Sequence, residues 1–196
     1  MITADDLDTA IGTVVDALRP TTDRDWTQAS GTGDWDCWHT AEHFGDGLLS
    51  YAAQLVARPT THYVRFLAVA DKAATPAEVL EFAMTGGGLL VAAVRTTAPS
   101  VRAYHPSGMA EPAGFAAMGC VEALVHGADL ARGLGVGLEP PRDLCARVLA
   151  RLFPHTTGDL ADTDPWLALL WATNRHQFPD REPQTTWTWR GSPPGE

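Results

Sequence analysis

The chain has 196 residues, of which 45% are hydrophobic and 19% are charged, and its formal net charge is −10. This length allows one well-filled hydrophobic core, and no shift in composition divides the chain, so residues 1–196 are interpreted as a single domain. Binding to a phosphate backbone requires a basic stripe, which an acidic chain of this kind lacks. We therefore expect no nucleic-acid partner.

Membrane and secreted proteins are also disfavoured. No uninterrupted apolar run approaches the ~20 residues of a membrane span, and the first residues carry acids where a secretion signal has basic ones. The cysteines form no C-x-x-C pair and predict neither a disulfide framework nor a cysteine-rich zinc module. These features lead us to expect a cytoplasmic protein without a membrane partner.

The first third of the chain predicts two helices. Apolar residues recur at helical spacing over residues 7–18, and Thr3 stands in the position of an N-cap, which together predict a first helix of about 15 residues. Residues 21–35 are rich in Thr, Asp, Gly and Ser and predict a long loop. A second helix is predicted over residues 36–57.

The rest of the chain predicts further helices and one ambiguous segment. Residues 63–70 fit a strand or a short helix equally well. The sequence of residues 75–78, TPAE, predicts the start of a third helix extending as far as Thr96, and Gly86–Gly88 are interpreted as a helix break or a close-packing site. Additional helices are predicted at 112–134, 142–153 and 164–174, before an extended C-terminal tail.

Four longer helices with little strand indicate the fold class. We predict an all-α protein: an antiparallel four-helix bundle with extra short helices and an extended C-terminal tail. Such bundles build their sites from side chains that face inward from neighbouring helices. Polar residues on an otherwise apolar helix face are therefore the place to look for function.

One segment of the fourth helix carries such residues. Residues 113–131, AGFAAMGCVEALVHGADLA, are all small or apolar except Glu122, His126 and Asp129, which lie at i, i+4 and i+7 on one helical stripe. A buried carboxylate beside an imidazole costs several kcal/mol unless a cation, a proton or a substrate meets it. A divalent metal satisfies the pair, although hydrogen bonds within the core are the structural alternative.

A catalytic zinc site takes three protein ligands and keeps one position open, so Glu122 and His126 require a third ligand. His43, in the middle of the second helix, is the best candidate because it can face the fourth helix across the bundle. His39 lies one turn earlier and is the alternative ligand, or a residue lining the pocket. Imidazole and carboxylate suit zinc, while nickel and iron accept the same ligands.

Two stretches carry a resemblance to a known family. Residues 34–44, DWDCWHTAEHF, and residues 121–135, VEALVHGADLARGLG, resemble motifs of the DinB-like metal-binding bundles, in particular of the N-terminal domain of mycothiol-dependent maleylpyruvate isomerase and its actinobacterial relatives. The resemblance implies that His43, Glu122 and His126 are the metal ligands. It reserves no role for His39.

The resemblance also implies a chemistry. An open position on a divalent metal, most simply Zn²⁺, stabilises the thiolate of a bound thiol at neutral pH. In the family this thiol is mycothiol, so we expect an enzyme that transfers a thiol to an electrophilic small molecule or isomerises that molecule. Hydrolysis of an amide or ester is a variant that the same site supports.

Other residues are candidates for supporting roles. We expect Asp129 to orient a ligand, and we consider it and Arg132 possible catalytic residues. Arg132 or Arg175 is the candidate receiver of an anionic substrate group. The predicted substrate wall consists of Trp38, His39, Phe115, Met118 and the segment from Trp166 to Arg175.

Two other functions remain open at this point. The same bundle suits a non-catalytic module that binds a small molecule or a partner chain, and it also suits a thiol-independent enzyme of specialised metabolism. The sequence neither favours nor excludes a homodimer, and Trp187 and Trp189 of the tail would cover either the bundle or a neighbouring subunit.

Overall fold

Six α-helices and one short 3₁₀ turn form the regular structure of residues 1–31, 35–156, 160 and 162–196, which this computed structural model describes. The helices are α1 (Ala4–Leu18), α2 (Cys37–Ala57), α3 (Pro76–Thr96), α4 (Pro112–Gly133), α5 (Arg142–Leu152) and α6 (Pro165–Ala172). The described residues contain isolated β-bridges but no strand. The predicted all-helical fold is thereby confirmed.

The helices begin where the local sequence signals place them. At α1 the hydroxyl of Thr3 accepts the backbone N–H of Asp6, and the Asp6 carboxylate accepts the backbone N–H of Thr3. Thr75 and Glu78 form the same reciprocal capping box at α3. Asp36 caps α2 by accepting an N–H of its first turn. These caps satisfy N–H groups that have no partner within the helix.

The four long helices form a ring in which α2 and α1 each pack against α3 and α4. Helices α2 and α3 run parallel, as do α1 and α4, while the α1–α3 and α2–α4 pairs are antiparallel. Two contacts in each parallel pair define its direction. They are Gly45 with Ala83 and Leu49 with Gly86 between α2 and α3, and Leu7 with Gly119 and Val14 with Gly127 between α1 and α4. The bundle is therefore up-down-down-up, and its antiparallel α2–α4 pair places the middle of α2 opposite the middle of α4.

All six helices contribute to one buried cluster of apolar side chains. Helix α5 is tied to the start of α1 because Arg147 donates to both carboxylate oxygens of Asp6, at 2.7 and 2.8 Å. The hydrogen bonds from Arg147 hold the pKa of Asp6 at about 2, well below its usual range. Asp6 therefore joins a helix cap to an inter-helix ion pair.

Helix α3 is continuous, so the prediction of a helix break at its three glycines is wrong. The close-packing interpretation is correct for two of them. A Cβ built on Gly86 would lie 2.6 Å from the carbonyl oxygen of Gly45, and one on Gly87 would lie 2.7 Å from Ile11. Gly88 has no neighbour within 4 Å of that position. The absence of a side chain lets α3 approach α2 and α1 closely.

Residues 63–70 are neither strand nor helix, and we call this segment the strap. The strap runs alongside α2 in the opposite direction, in an irregular conformation, and its backbone N–H groups donate to side chains of that helix. The pairs are Gln54 with Val64, Asp46 with Ala68, and Glu42 with Ala70, at 2.8, 2.8 and 3.0 Å. The strap has no strand pairing of its own and is held by these three side-chain acceptors. Two of them, Glu42 and Asp46, lie on either side of His43 in the sequence.

Among the described helices, α3 alone is long and apolar enough to span a membrane by length and composition. It packs along α2 and α1 within the bundle. The core helix of a soluble bundle meets the same two criteria, so this property is weak grounds for a membrane segment.

A buried histidine lies in the connection between α3 and α4. The His105 ring is 8% exposed, and it contacts the rings of Tyr51, Tyr63, Phe115 and Trp189. Its Nδ1 accepts the backbone N–H of Ser107 at 3.0 Å. Burial lowers the pKa of His105 to about 4, and the Glu122 carboxylate opposes this shift only in part. The ring is therefore neutral in the folded protein at neutral pH.

Two matched substitutions test the packing of α3. We expect Gly86→Ala to lower the free energy of unfolding by about 1–3 kcal/mol, because the new methyl group meets the backbone of α2. Gly88→Ala is expected to raise it by about 0.5–1 kcal/mol, because alanine favours the helix and meets nothing. Urea unfolding followed by circular dichroism measures both. Equal effects of the two substitutions would contradict the close contact.

His105 makes the stability depend on pH with a defined sign. Since its folded pKa of about 4 lies below the ordinary histidine value, the unfolded chain binds the proton first as the pH falls. We expect this residue to contribute a loss of about 3 kcal/mol in the free energy of unfolding as the pH falls from about 6.5 to about 4, and no further loss below that. His105→Gln should remove that part of the pH dependence in unfolding experiments, whereas exposed His62→Gln should not.

Candidate metal centre

The antiparallel packing of α2 on α4 brings two polar stripes together. On α2, His43, Gly47 and Tyr51 lie at i, i+4 and i+8 and share one face. On α4, Glu122 and His126 lie opposite them. A Cβ on Gly47 would lie 3.9 Å from the Glu122 carboxyl carbon, so this glycine leaves the backbone of α2 close to the carboxylate.

Three side chains converge between these helices. His43, Glu122 and His126 each place one donor atom within 4.8 Å of the other two. The two imidazole rings are 5.0 Å apart and nearly perpendicular, and His126 Nε2 lies 3.1 Å from Glu122 Oε2. Two imidazoles and a carboxylate are the ligands of known catalytic zinc sites. The residues that the sequence proposed as a ligand set are therefore brought together as a group that could bind a metal ion.

The structure also decides between the two histidines of α2. The side chain of His39 is 60% exposed, and its Nδ1 lies 2.8 Å from the Asp36 carboxylate at the start of the helix. It is not part of the converging group. His43 is held on its outer side by Trp35, whose ring centroid lies 4.8 Å away in an edge-on contact.

Tyr51 is a member of the site that the sequence analysis missed. Its hydroxyl donates to Glu122 Oε1 at 2.8 Å, which leaves Oε2 facing His126. The carboxylate therefore has one oxygen fixed by the protein and one directed at the other candidate ligands. The signal in the sequence was the position of Tyr51 two turns after His43 on the same face of α2.

Behind His126 lies a buried ion pair. Arg175, just after α6, donates to Asp129 Oδ2 from Nη2 at 3.0 Å and from Nε at 3.2 Å. The same Asp129 oxygen is 3.7 Å from His126 Nδ1. The arrangement directs Nε2 of His126 toward Glu122 and Nδ1 toward a carboxylate. Metal-binding histidines commonly have such a carboxylate partner behind them.

The electrostatics of the group favour a cation. Burial opposes the charge on Glu122, but hydrogen bonds from His126 and Tyr51 outweigh it and lower the pKa of the carboxyl. Burial likewise opposes protonation of His126, yet the carboxylates of Asp129 and Glu122 on its two sides raise its pKa to about 9. Burial and the nearby His126 lower the pKa of His43. One imidazole thus carries the positive charge that Glu122 requires, while the other keeps a free lone pair.

A cavity of about 280 Å³ lies beside His43, on the α2 side of the group. It lies between α2, Trp35 and the strap, and His43 is the candidate ligand that lines it. A second cavity, of about 660 Å³, lies near the start of α2 and is lined by Trp38 and His39 among others. His39 borders both cavities.

The other residues predicted at the site take different positions. Phe115 and Met118 are fully buried in the core and do not line the cavity beside His43. Arg132 donates to the carbonyl groups of Gly31 and Arg175, and like Arg175 it is absent from that cavity wall. Asp34, part of the first resembling motif, lies outside the described residues.

The protein's own thiols are poor nucleophiles. Cys37, Cys120 and Cys145 are all free and buried. Burial raises the pKa of Cys37 to about 11 and that of Cys145 to about 12, and it raises the pKa of Cys120 further. Because the thiolate is the reactive form, thiol chemistry at this site requires a thiol from outside the chain.

Comparison with known proteins gives no family: no family model, no curated protein and no solved structure matches the chain. The class of protein is therefore defined by its fold and its candidate site alone. The protein is an all-helical bundle with a His/Glu/His group in its interior that could bind a metal ion.

The ion pair behind His126 is open to a direct test. Asp129 is 4% exposed, so Asp129→Asn leaves the guanidinium of Arg175 buried without its counter-charge, and we expect the free energy of unfolding to fall by about 3 kcal/mol. Adding Arg175→Gln should recover part of this loss. Asp5→Asn, which breaks the exposed pair with Arg95, is the control and should change little. Chemical denaturation of the wild-type protein and the three variants gives the comparison.

Proposed function

We propose that this protein is a metal-dependent enzyme that activates a low-molecular-weight thiol for transfer to, or isomerisation of, an electrophilic small molecule. The observation that carries the proposal is the convergence of His43, Glu122 and His126 between α2 and α4. The resemblance of residues 34–44 and 121–135 to the mycothiol-dependent isomerase family supports mycothiol as the thiol. Zn²⁺ is the proposed ion because it accepts imidazole and carboxylate ligands together.

The residues present fit such an ion. The ligand set has one negative charge and two imidazoles, and both oxygens of Glu122 already have defined partners. Three protein ligands leave a coordination position for an exogenous group. When bound, a divalent cation lowers the pKa of a thiol or a water molecule at that position. This chemistry would give the site the nucleophile that the buried cysteines do not supply.

Each side chain around the group has a distinct task. Tyr51 holds one carboxylate oxygen of Glu122, and Asp129 with Arg175 holds the far side of His126. Trp35 covers the outer face of His43. Together they restrict the rotamers of all three candidate ligands, so little side-chain entropy is lost when a cation is bound.

Metal content is the first test. We expect the purified protein to retain close to one equivalent of zinc or a similar ion, measured by elemental analysis after dialysis. His43→Ala and His126→Ala should each lower retention by about 100-fold, and Tyr51→Phe by about tenfold, because it frees the Glu122 carboxylate. The matched control is His39→Ala, one turn from His43, which should retain metal fully. Circular dichroism confirms that the helices persist.

Two results would contradict the metal centre. One is a wild-type protein that retains no ion even at about pH 9, where the proton on His126 no longer competes strongly with a metal ion. The other is equal loss of metal in the His39→Ala and His43→Ala variants, since only His43 belongs to the converging group.

A second candidate function has an observation in its favour. Glu122, His126 and Tyr51 already satisfy one another, with contacts of 2.8 and 3.1 Å. The same network would serve a non-catalytic module that binds a small molecule. Consumption of mycothiol with a panel of electrophiles separates the two functions, because a binding module shows no loss of thiol above background. An enzyme loses that activity in the His126→Ala variant.

A further inference from the structure

The cavity beside His43 has a defined charge. Its wall contains Glu42 and Asp46, which flank His43 on α2, and among the described residues no lysine or arginine lines it. Each carboxylate is fixed in place by accepting a backbone N–H of the strap, from Ala70 and Ala68 respectively. The wall beside His43 therefore carries two fixed carboxylates, and its only other titratable side chains among the described residues are the imidazoles of His39 and His43.

The rim of the same cavity is apolar. Leu67 and Val69 of the strap are 80% and 68% exposed, and Trp35 on the opposite side is 48% exposed. Large apolar side chains so exposed at a cavity mouth gain free energy when an apolar group of a ligand covers them. The rim is continuous with the site because Trp35 contacts the ring of His43.

Arg65 of the strap is exposed and does not line this cavity, and four other cationic side chains are placed elsewhere. Arg175 is bound to Asp129 behind His126, and Arg132 is bound to backbone carbonyl groups. Arg24 and Lys72 line the separate cavity near the start of α2. An anionic group entering beside His43 would meet carboxylates first. Coulomb repulsion at short range in a partly buried wall is enough to affect binding.

From these observations we infer that the site prefers neutral ligands to anionic ones, with Glu42 and Asp46 setting the charge preference, and that Leu67 and Trp35 favour a ligand, above all the electrophile, that carries an apolar group. The inference rests on the proposed function, since it concerns ligands of the metal centre. It names the class of ligand that the centre accepts. Carboxylate-bearing substrates are accordingly poor ligands for this cavity.

Binding of simple thiols to the Co²⁺-loaded protein tests this directly. Co²⁺ reports its own binding through visible absorption, and a coordinated thiolate adds a charge-transfer band in the near ultraviolet, so no turnover is needed. Mercaptopropanol and mercaptopropionate form a pair of similar size that differs in charge. Phenylethanethiol and mercaptoethanol form a pair that differs in apolar area. Titration of each gives an affinity.

We expect mercaptopropanol to bind about tenfold more tightly than mercaptopropionate. The double variant Glu42→Gln/Asp46→Asn should narrow this ratio to about twofold, while its amide oxygens still accept the N–H groups of the strap. Comparing ratios between proteins cancels the intrinsic difference between the thiols. The charge-matched control is Asp16→Asn/Glu81→Gln, two exposed carboxylates of α1 and α3, which should leave the ratio unchanged.

The apolar part is tested with the second pair. We expect Leu67→Ser to weaken binding of phenylethanethiol by about threefold and to leave mercaptoethanol unchanged. Leu89→Ser, which removes an exposed leucine from α3 instead, is the matched control and should affect neither thiol.

The outcomes are distinguishable. Absence of the Co²⁺ spectrum overturns the proposed metal centre and the inference with it. A normal Co²⁺ spectrum with equal affinity for the neutral and anionic thiols, or a ratio that the Glu42 and Asp46 substitutions leave unchanged, overturns the inference alone. The inference is supported if the ratio of the affinities for mercaptopropanol and mercaptopropionate falls in the Glu42→Gln/Asp46→Asn variant and is unchanged in the control variant.

Discussion

The structure depends on one electrostatic constraint: a carboxylate, Glu122, in the interior of an apolar helix bundle. Such a group is tolerated only when positive charge and hydrogen-bond donors surround it. Here Tyr51 supplies a donor from α2, and His126 supplies a second from the next turn of α4. His43, on the facing side of α2, is the third side chain of the group around Glu122. The antiparallel contact of α2 with α4 is therefore both a packing interface and a candidate site.

Segments outside α2 and α4 also support the group around Glu122. Arg175 reaches in from the end of α6 to neutralise Asp129 behind His126. On the other side, the strap is bound to Glu42 and Asp46 on either side of His43, and it supplies the apolar rim of the cavity. The two candidate imidazole ligands are thus supported by segments that are far apart in the chain. Changes in the strap would alter access to the site, whereas changes at Arg175 would alter its rigidity.

Much of this architecture could be predicted from local signals. Capping boxes at Thr3 and Thr75 mark helix starts because their hydrogen bonds involve residues only three positions apart. The stripe of Glu122 and His126 is visible because it lies within one helix. Gly86 shows the limit of such local signals. A glycine in a helical sequence is compatible with a helix break or with close packing, and only the approach of the Gly45 carbonyl oxygen identifies close packing as the reason for this glycine. The conformation of the strap was not predicted either, because it is set by hydrogen-bond acceptors on the side chains of α2.

The sequence by itself determined the helices, their starts and two of the three candidate ligands, since each is encoded by residues within one or two turns of each other. The third ligand, His43, was predicted in preference to His39 from its position in α2 and from the family resemblance, and the tertiary structure shows that it joins the other two. The helices' relative rotation turns His43 toward α4 and leaves His39 in solvent beside Asp36. The role of Tyr51 and the pairing of Arg175 with Asp129 became visible for the same reason. Their roles arise from contacts between segments distant in the chain, which local periodicity does not encode.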